Sequence, residues 1–290
     1  GGRALARDGL AEARARGLRR LEGMFLNVLS FIAGLQDDQV TGLALDEQDL
    51  PIWRELGDRQ GETIALGNVG ADLLWFGEFA QARRHLEEAL KLCRAIGSRQ
   101  MECGPRGNLS QLALWQGDAA QALEQAHAAV DVAVAVQAAD FEAGARFRVG
   151  DAELALGHHQ AAAEAYAQAE SLARAIGLGV HYDATAGRAR AALAAGDVAG
   201  AMVFIEALLA HRAGGGEFGG DPKRIFFTCH QVLARAGDAR AAKLLSAAHA
   251  ELQARAATIT DARLRQSFLA NVPYHREIVA AWAAAGQGRA

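Results

Sequence analysis

Residues 62–97, ETIALGNVGADLLWFGEFAQARRHLEEALKLCRAIG, contain two helical patterns separated by a short turn. The first pattern places small or apolar residues at i, i+3, i+4 and i+7, on one helix face: Leu66, Val69, Gly70 and Leu73. The second pattern follows the same rule: Ala82, Leu86 and Ala89. In the turn, Gly77 tolerates the left-handed conformation that ends a helix, and Glu78 can accept N–H groups at the next helix start. The stretch therefore predicts a helical hairpin.

The same hairpin recurs along the chain with a period of about 40 residues. Its turn glycine returns four times: Gly77, Gly117, Gly157, Gly196 and Gly237. The alanine five residues later returns as well: Ala82, Ala122, Ala162, Ala201 and Ala242. We expect this alanine to lie where two helices cross closely, since only a small side chain fits there. A second turn is also periodic, at Gly57, Gly97, Gln137 and Gly177. Repetition at both turns predicts an array of stacked hairpins.

These positions resemble the tetratricopeptide repeat (TPR) in a lengthened form. The resemblance implies an all-α fold, a right-handed α-solenoid of TPR-like hairpins over residues 1–257, followed by capping helices over residues 258–290. The expected hairpins cover residues 18–56, 59–96, 99–136, 139–176, 179–212 and 222–257, after a truncated first repeat at residues 3–16. The first full hairpin should be the least regular, because it has Asp37-Asp38 at the turn, Gly42 at the crossing and Pro51 near the helix end.

The tail breaks the period. Asp261 predicts a helix start, Pro273 ends that helix, and a final helix should cover the end of the stack with Ile278, Val279 and Trp282. The string LRQSFLANVPYHREIVAAW within it is similar to the closing segment of the TPR regions of bacterial multidomain signalling ATPases. Those proteins often carry class III adenylate cyclase or DNA-binding domains. The resemblance implies that catalysis or DNA binding lies in domains upstream of Gly1, and that this chain is a fragment.

The amino-acid composition limits the kinds of binding partner and the cellular compartment that we expect. The net charge of −4 argues against a nucleic-acid binder, which needs a broadly basic face. Three cysteines without CxxC spacing indicate a reducing cytoplasm and buried thiols: Cys93, Cys103 and Cys229. The segment MFLNVLSFIAGL at residues 24–35 is too short to span a bilayer, and we predict a buried helix. The expected partners are a protein or peptide, the upstream domains and a possible second copy, without nucleic acid or membrane.

The resemblance to the TPR implies that the first helix of each hairpin lines a concave groove, and the candidate binding residues lie on those helices. Asn68 and Asn108 share one repeat position, and Arg148 takes its third instance. An asparagine can pair with the N–H and C=O of an extended peptide, or it can bridge neighbouring helix pairs; both alternatives stand. Trp75 and Trp115 also match at this period, and core packing is the favoured interpretation. The complete predicted groove set is Asn27, Phe31, Asn68, Asn108, Gln111, Arg148 and Asp151.

No enzyme motif stands out, since the histidines are scattered and neither HExxH nor a Cys/His zinc spacing occurs. We expect no catalytic residue, no cofactor and no metal. The favoured hypothesis is a non-catalytic interaction and regulatory module. A self-association scaffold and an enzyme or small-molecule site in the groove are the alternatives. A concave pocket with several perturbed titrating groups, beside His181 or His230, would favour the enzyme.

Overall fold

The computed structural model of the chain describes residues 1–36 and 38–287. The predicted turn residue Asp37 and residues 288–290 of the predicted cap lie outside this range. Within it the chain is all α-helical apart from turns, loops and one 3₁₀ turn at Gln100–Glu102, which confirms the predicted fold class. The helices are α1 (Gly2–Ala15), α2 (Arg19–Leu35), α3 (Gln39–Leu56), α4 (Arg59–Trp75), α5 (Phe79–Ala95), α6 (Cys103–Trp115), α7 (Ala119–Ala135), α8 (Ala139–Ala155), α9 (His159–Ala175), α10 (Val180–Ala194), α11 (Val198–Ala213), α12 (Pro222–Arg235), α13 (Ala241–Thr258), α14 (Ala262–Ala270) and α15 (Pro273–Gln287).

The helices pair as TPR-like hairpins at the predicted places, from α2–α3 to α12–α13. The turn glycines hold the left-handed backbone that the repeat demands, with φ of +79° at Gly77 and +87° at Gly117. Gln137, the residue that replaces glycine in the second turn series, adopts a φ of +56°. Several second helices then begin at an aspartate cap, as where Asp118 accepts from Gln121 N at 2.9 Å. Local turn chemistry thus sets the hairpin boundaries.

The crossing alanines are buried in four of the five places predicted, with no exposed surface at Ala82, Ala122, Ala162 and Ala201. The prediction is wrong for Ala242, which is exposed. The other second helices begin two residues after the turn glycine, whereas α13 begins four residues after Gly237. Ala242 therefore lies in the first turn of α13, and the helix buries Leu244, Leu245 and Ala248 instead.

The chain divides into two compact units, residues 1–108 (unit 1) and 109–290 (unit 2). Both units carry a recurring ion pair that the sequence analysis did not identify. A glutamate near the start of each first helix from α2 to α8 accepts hydrogen bonds from an arginine: Glu22 from Arg14, Glu62 from Arg54, Glu102 from Arg106 and Glu142 from Arg146. The glutamates repeat every 40 residues, whereas the arginine lies eight residues before the glutamate in the first two pairs and four residues after it in the last two. The glutamate position therefore belongs to the architecture of the hairpin.

Helix α2 differs from the buried helix that was predicted. One face packs in the core through Leu26, Leu29 and Ala33. The other leaves apolar side chains exposed, namely Leu21, Met24, Val28, Phe31 and Leu35. A helix that is apolar on both faces packs only one of them when a single side has neighbours. No helix of the described chain combines the length and apolarity that crossing a membrane requires. The three cysteines are buried, as predicted.

The tail forms the two expected helices. Asp261 caps α14 by accepting from Leu264 N at 2.9 Å, and α15 begins at Pro273. Ile278 is fully buried, and the Trp282 ring stacks on His249 of α13 with centroids 4.6 Å apart. Trp282 nonetheless keeps 40% of its surface exposed, so it covers α13 only in part.

Candidate functional site

A cavity of about 300 Å³ opens within unit 2. Its wall is built by the first helices of successive hairpins, α6, α8, α10 and α12, together with the start of α15. The lining mixes aromatic and apolar side chains with a few charged groups: Leu114, Trp115, Asp151, Leu154, Ala155, Arg190, Arg224, Phe227, Thr228, Gln231, Pro273, Tyr274 and Glu277. Such a mixture is typical of ligand sites, where apolar surface supplies affinity and a few polar groups fix orientation. We call this space the unit 2 cavity.

Asp151 lies at the centre of the charged lining. Its carboxylate accepts from Tyr166 Oη at 2.5 Å, from Arg190 Nη2 at 2.9 Å and from Arg224 Nη2 at 2.9 and 3.0 Å. Burial acts to raise the pKa of Asp151, but the charges of Arg224 and Arg190 hold it below its usual range. The carboxylate thus stays ionised and is shared by two guanidinium groups, which leaves one positive charge in excess.

Aromatic rings fix those guanidinium groups. The Arg190 guanidinium lies 5.6 Å from the centroid of the Tyr166 ring, and that of Arg224 lies 5.5 and 5.7 Å from those of Phe147 and Tyr274. Cation–π contacts of this kind stabilise a charge that is partly removed from water. The Tyr166 ring itself needs glycine neighbours, because a Cβ at Gly150 would lie 2.6 Å from it.

A second group of charges anchors α12 and the cap beside the cavity. Asp221 caps α12, accepts from Lys223 Nζ at 2.9 Å and from Tyr274 Oη at 2.5 Å, and donates its own N–H to Asp183 at 3.1 Å. Burial opposes ionisation of Asp221, but the Lys223 charge and the Tyr274 hydroxyl lower its pKa to about 2. Burial and the Asp221 charge raise the pKa of Asp183 to about 6. The glycine-rich loop thus leads from α11 to a start of α12 that is held by hydrogen bonds of Asp221.

A pocket with several shifted pKa values beside His181 would favour an enzyme, and the structure meets this condition in part, because Asp183 lies two residues from His181 and has a raised pKa. The groups of the Asp151 network that line or adjoin the cavity nevertheless lack what acid–base catalysis needs, a pKa near the working pH. Burial and the Asp151 charge raise the pKa of Tyr166 far above neutrality, while the pKa of Asp151 is lowered. Asp183 is outside the cavity lining and accepts a backbone N–H. The arrangement is therefore that of an ion-pair network.

Three of the predicted groove residues come together in unit 2. Arg148 donates from Nη1 to Gln111 Oε1, which joins α8 to α6. Asp151 lies one turn further along α8 than Arg148. Burial lowers the pKa of Arg148 to about 10, so the guanidinium is charged at neutral pH. Gln111 is 93% buried, since its relative exposure is 7%.

The remaining predicted residues lie in unit 1. Asn68 donates from Nδ2 to Asp46 Oδ1 at 3.3 Å and so bridges α4 to α3, the contact that the structural alternative expects. Asn27 on α2 and Asn108 on α6 are half-buried, and Phe31 on α2 is 67% exposed. Among the residues that the structure describes, no side-chain hydrogen bond joins these four to one another.

Unit 1 also holds three buried carboxyl groups that the sequence analysis missed. Asp46 accepts from Ser30 Oγ at 2.5 Å and shares a hydrogen bond with Asp72. Burial raises the pKa of Asp46 to about 6, of Asp49 to about 7 and of Asp72 to about 8. The nearby Asp46 charge contributes to the raised pKa values of Asp49 and Asp72. Near neutral pH Asp72 and, in part, Asp49 hold a proton that an ordinary aspartate has lost, whereas Asp46 is largely ionised.

The sequence analysis also missed the partners of Asp151. Arg190 follows Asp151 by 39 residues, one short repeat, so the period could have found it. Arg224 follows the glycine-rich loop, which shifts the register and conceals the match. Trp115 differs from the favoured core interpretation, because it lines the unit 2 cavity with its ring centroid 6.2 Å from that of Tyr274.

Comparison with known proteins supports the fold. No protein-family model matches the chain, and no curated protein matches it. Among solved structures, a Rap protein complexed with competence and sporulation factor matches with a TM-score of 0.67 and 14% identity, over 91% of this chain and 76% of that one. The Rap conjugation gene regulator of the plasmid pLS20, in complex with the Phr* peptide, matches with a TM-score of 0.62 and 10% identity, over 91% and 76%.

A third match is a signal transduction ATPase with numerous domains and a TPR sensor, from Pyrococcus horikoshii. It has a TM-score of 0.55 and 14% identity, and covers 86% of this chain and 39% of that protein. Together with the hairpins described above, these likenesses identify the chain as a helical-repeat protein of the TPR type. At such identities they establish the fold alone.

Proposed function

We propose that the chain is a non-catalytic interaction module that binds a segment of a protein or peptide along the first helices of its hairpins. The observation that carries this proposal is the unit 2 cavity, walled by α6, α8, α10 and α12. A groove built from successive repeats suits an extended chain, because each repeat offers side chains to the next part of the ligand. Two of the structural relatives are complexed with named factors, one of them a peptide, which supports the same use here.

The cavity supplies the two kinds of contact that peptide recognition needs. Trp115, Phe227 and Tyr274 offer aromatic surface, which commonly forms the energetic centre of an interface. Arg190, Arg224 and Thr228 fix orientation as polar groups. For unit 1, taken by itself, we propose the exposed Phe31 as an apolar contact together with the polar groups of Asn27, Asn68 and Asn108.

The module is further proposed to be the C-terminal part of a larger bacterial signalling ATPase, cyclase or transcriptional regulator that works in the cytoplasm. The resemblance of the tail and the TPR sensor in one structural relative support this context. Occupancy of the groove would bias the packing between adjacent hairpins and pass that change to upstream domains. The pKa shifts argue against catalysis, because the arginine charges lower the pKa of Asp151 and burial raises that of Tyr166, so neither group titrates near neutral pH.

The experiment is affinity selection from a library of random peptides displayed on phage, followed by titration of the selected peptides by fluorescence anisotropy. Trp115→Ala removes an aromatic wall of the cavity and should weaken binding by about tenfold or more. Trp282→Ala is the matched control, since that ring stacks on His249 away from the cavity lining. Failure to select any peptide, or selection of peptides that bind both variants equally, would contradict the proposal.

A further inference from the structure

Helix α2 carries an exposed apolar stripe with the spacing of a helix–helix contact. Five apolar residues follow one another at intervals of 3, 4, 3 and 4 residues, namely Leu21, Met24, Val28, Phe31 and Leu35. Each of them exposes between 42% and 72% of its surface. This spacing aligns side chains along one side of a helix, as in the seam through which coiled-coil helices pack on each other. We call these five residues the α2 stripe.

The core of unit 1 uses the other face of α2. Leu26 and Leu29 pack in one buried cluster with residues of α1 and α3, so these neighbouring helices do not cover the stripe. Within the span of the stripe the sequence has a single charged residue, Glu22, and it is buried. A lone exposed apolar residue is ordinary, but an uncharged line of five marks a surface that another molecule covers.

The size of the stripe matches one half of a protein interface. A large side chain has a surface of about 150–250 Å², so the exposed fractions amount to on the order of 500 Å², at the upper end of the apolar patches found on monomeric proteins. Two such stripes packed together would bury about 1,000 Å², the area at which specific interfaces begin. A second α2 stripe is therefore large enough and apolar enough to cover the first.

The charges at the two ends of the stripe favour a second copy in antiparallel orientation. Arg20 precedes the stripe, and its ion pair with Asp58 leaves 63% of the Arg20 side chain exposed. Asp38 follows the end of α2 by three residues, and its side chain is 39% exposed. Unlike charges at opposite ends attract each other when two stripes run antiparallel, whereas like charges meet when they run parallel. Antiparallel helices also oppose their dipoles.

We propose that two copies of the chain associate through their α2 stripes, antiparallel across a two-fold axis. Val28 of each copy then lies opposite Phe31 of the other, and Met24 lies opposite Leu35. The inference goes beyond the proposed function, because the unit 2 cavity takes no part in it. In unit 1 it assigns Phe31 to the contact between copies, so a segment bound there would compete with the second copy.

Sedimentation velocity of the full chain, between about 1 and 100 µM, measures the association. We expect the mass to rise from that of one chain to twice that value within this range, since interfaces of this small size commonly belong to transient complexes. Val28→Glu and Phe31→Glu each place a charge in the stripe and should raise the dissociation constant about tenfold or more. Val203→Glu is the matched control, because Val203 is 68% exposed but lies on α11.

Circular dichroism checks that the variants are folded, which we expect because both residues are exposed; Phe31→Glu alone decides if Val28→Glu is not. The orientation is measured with a nitroxide label on Leu18→Cys at the start of α2, since the three native cysteines are buried. At a rise of about 1.5 Å per residue the two labels should lie about 35 Å apart in the antiparallel pair, against less than about 15 Å in a parallel one.

Any of three results would overturn the inference. The mass of a single chain at every concentration would mean that a different partner covers the stripe. Association that survives in the folded variants of the stripe, or that Val203→Glu weakens equally, would place the contact elsewhere. A short distance between the labels would exclude the antiparallel pair. None of these results bears on the unit 2 cavity, which the Trp115→Ala titration tests separately.

Discussion

Asp151 should be the residue of unit 2 whose charge matters most for stability. Asp151→Asn keeps the shape of the side chain but removes the charge that two guanidinium groups share. Its side chain is 2% exposed, and those of Arg190 and Arg224 are 15% and 19% exposed. Breaking a buried pair by removing one partner costs about 3–5 kcal/mol. Because both arginines keep some contact with water, we expect the lower end, about 3 kcal/mol.

Urea unfolding followed by circular dichroism at the helical minimum measures this loss. Glu142→Gln is the matched control on the same helix, where the Arg146–Glu142 pair has side chains 27% and 19% exposed. A pair of that kind should contribute less than about 1 kcal/mol. The double variant Asp151→Asn, Arg224→Met should be less destabilised than the sum of its single variants, since it removes one of the uncompensated charges.

The reasoning would be refuted if Asp151→Asn cost no more than Glu142→Gln. That result would mean that water or a shift of the arginines compensates the lost carboxylate, and the excess positive charge beside Arg148 could not be deduced from these contacts. Additive behaviour of the double variant would separately show that Arg224 and Asp151 are not energetically coupled.

Two further predictions concern the buried carboxyl groups and the helix crossings. Asp49 has a pKa of about 7 in the folded state against an ordinary value of 3.8, so the folded state retains a proton that the unfolded state releases. The free energy of unfolding therefore falls by about 1.4 kcal/mol per pH unit between those two values. Asp49→Asn should raise the melting temperature more at pH 8 than at pH 5, and an equal gain at both would contradict the assignment. Ala122→Arg should overpack a helix crossing and bury a charge, which should lower the free energy of unfolding in urea by about 3 kcal/mol or more. Ala242→Arg, at the exposed equivalent position, should leave that free energy almost unchanged. Comparable losses in the two variants would disprove the assigned repeat register.

The sequence predicts the hairpins because their determinants are local and repeated. A turn that needs positive φ selects glycine, and a close crossing selects alanine, so both leave marks every 40 residues. Ala242 was mispredicted because its helix begins two residues later than its equivalents, which no residue type reveals. The apolar face of α2 was mispredicted as buried, since composition cannot tell on which sides a helix has neighbours.

The candidate site was harder to predict because its contacts join distant residues. Arg224 meets Asp151 across 73 positions, and the glycine-rich loop between them breaks the period that would have aligned them. Asp46, Asp49 and Asp72 resemble any solvated carboxylate in the sequence, since burial depends on which helix lies opposite. Gln111, Arg148 and Asp151 could be proposed only because they occupy positions equivalent to those on neighbouring first helices.

The contrast between conserved and varying repeat positions within this one chain has a physical cause. Turn glycines and crossing alanines repeat because any larger or more restricted residue would disturb the packing of its own hairpin. Groove positions have no such constraint, so the position held by Asn68 and Asn108 can become Arg148 without cost to the repeat. The change places a charge that donates to the neutral Gln111 amide, and the hairpin tolerates it because the Asp151 carboxylate, one turn further along α8, stabilises the charged form.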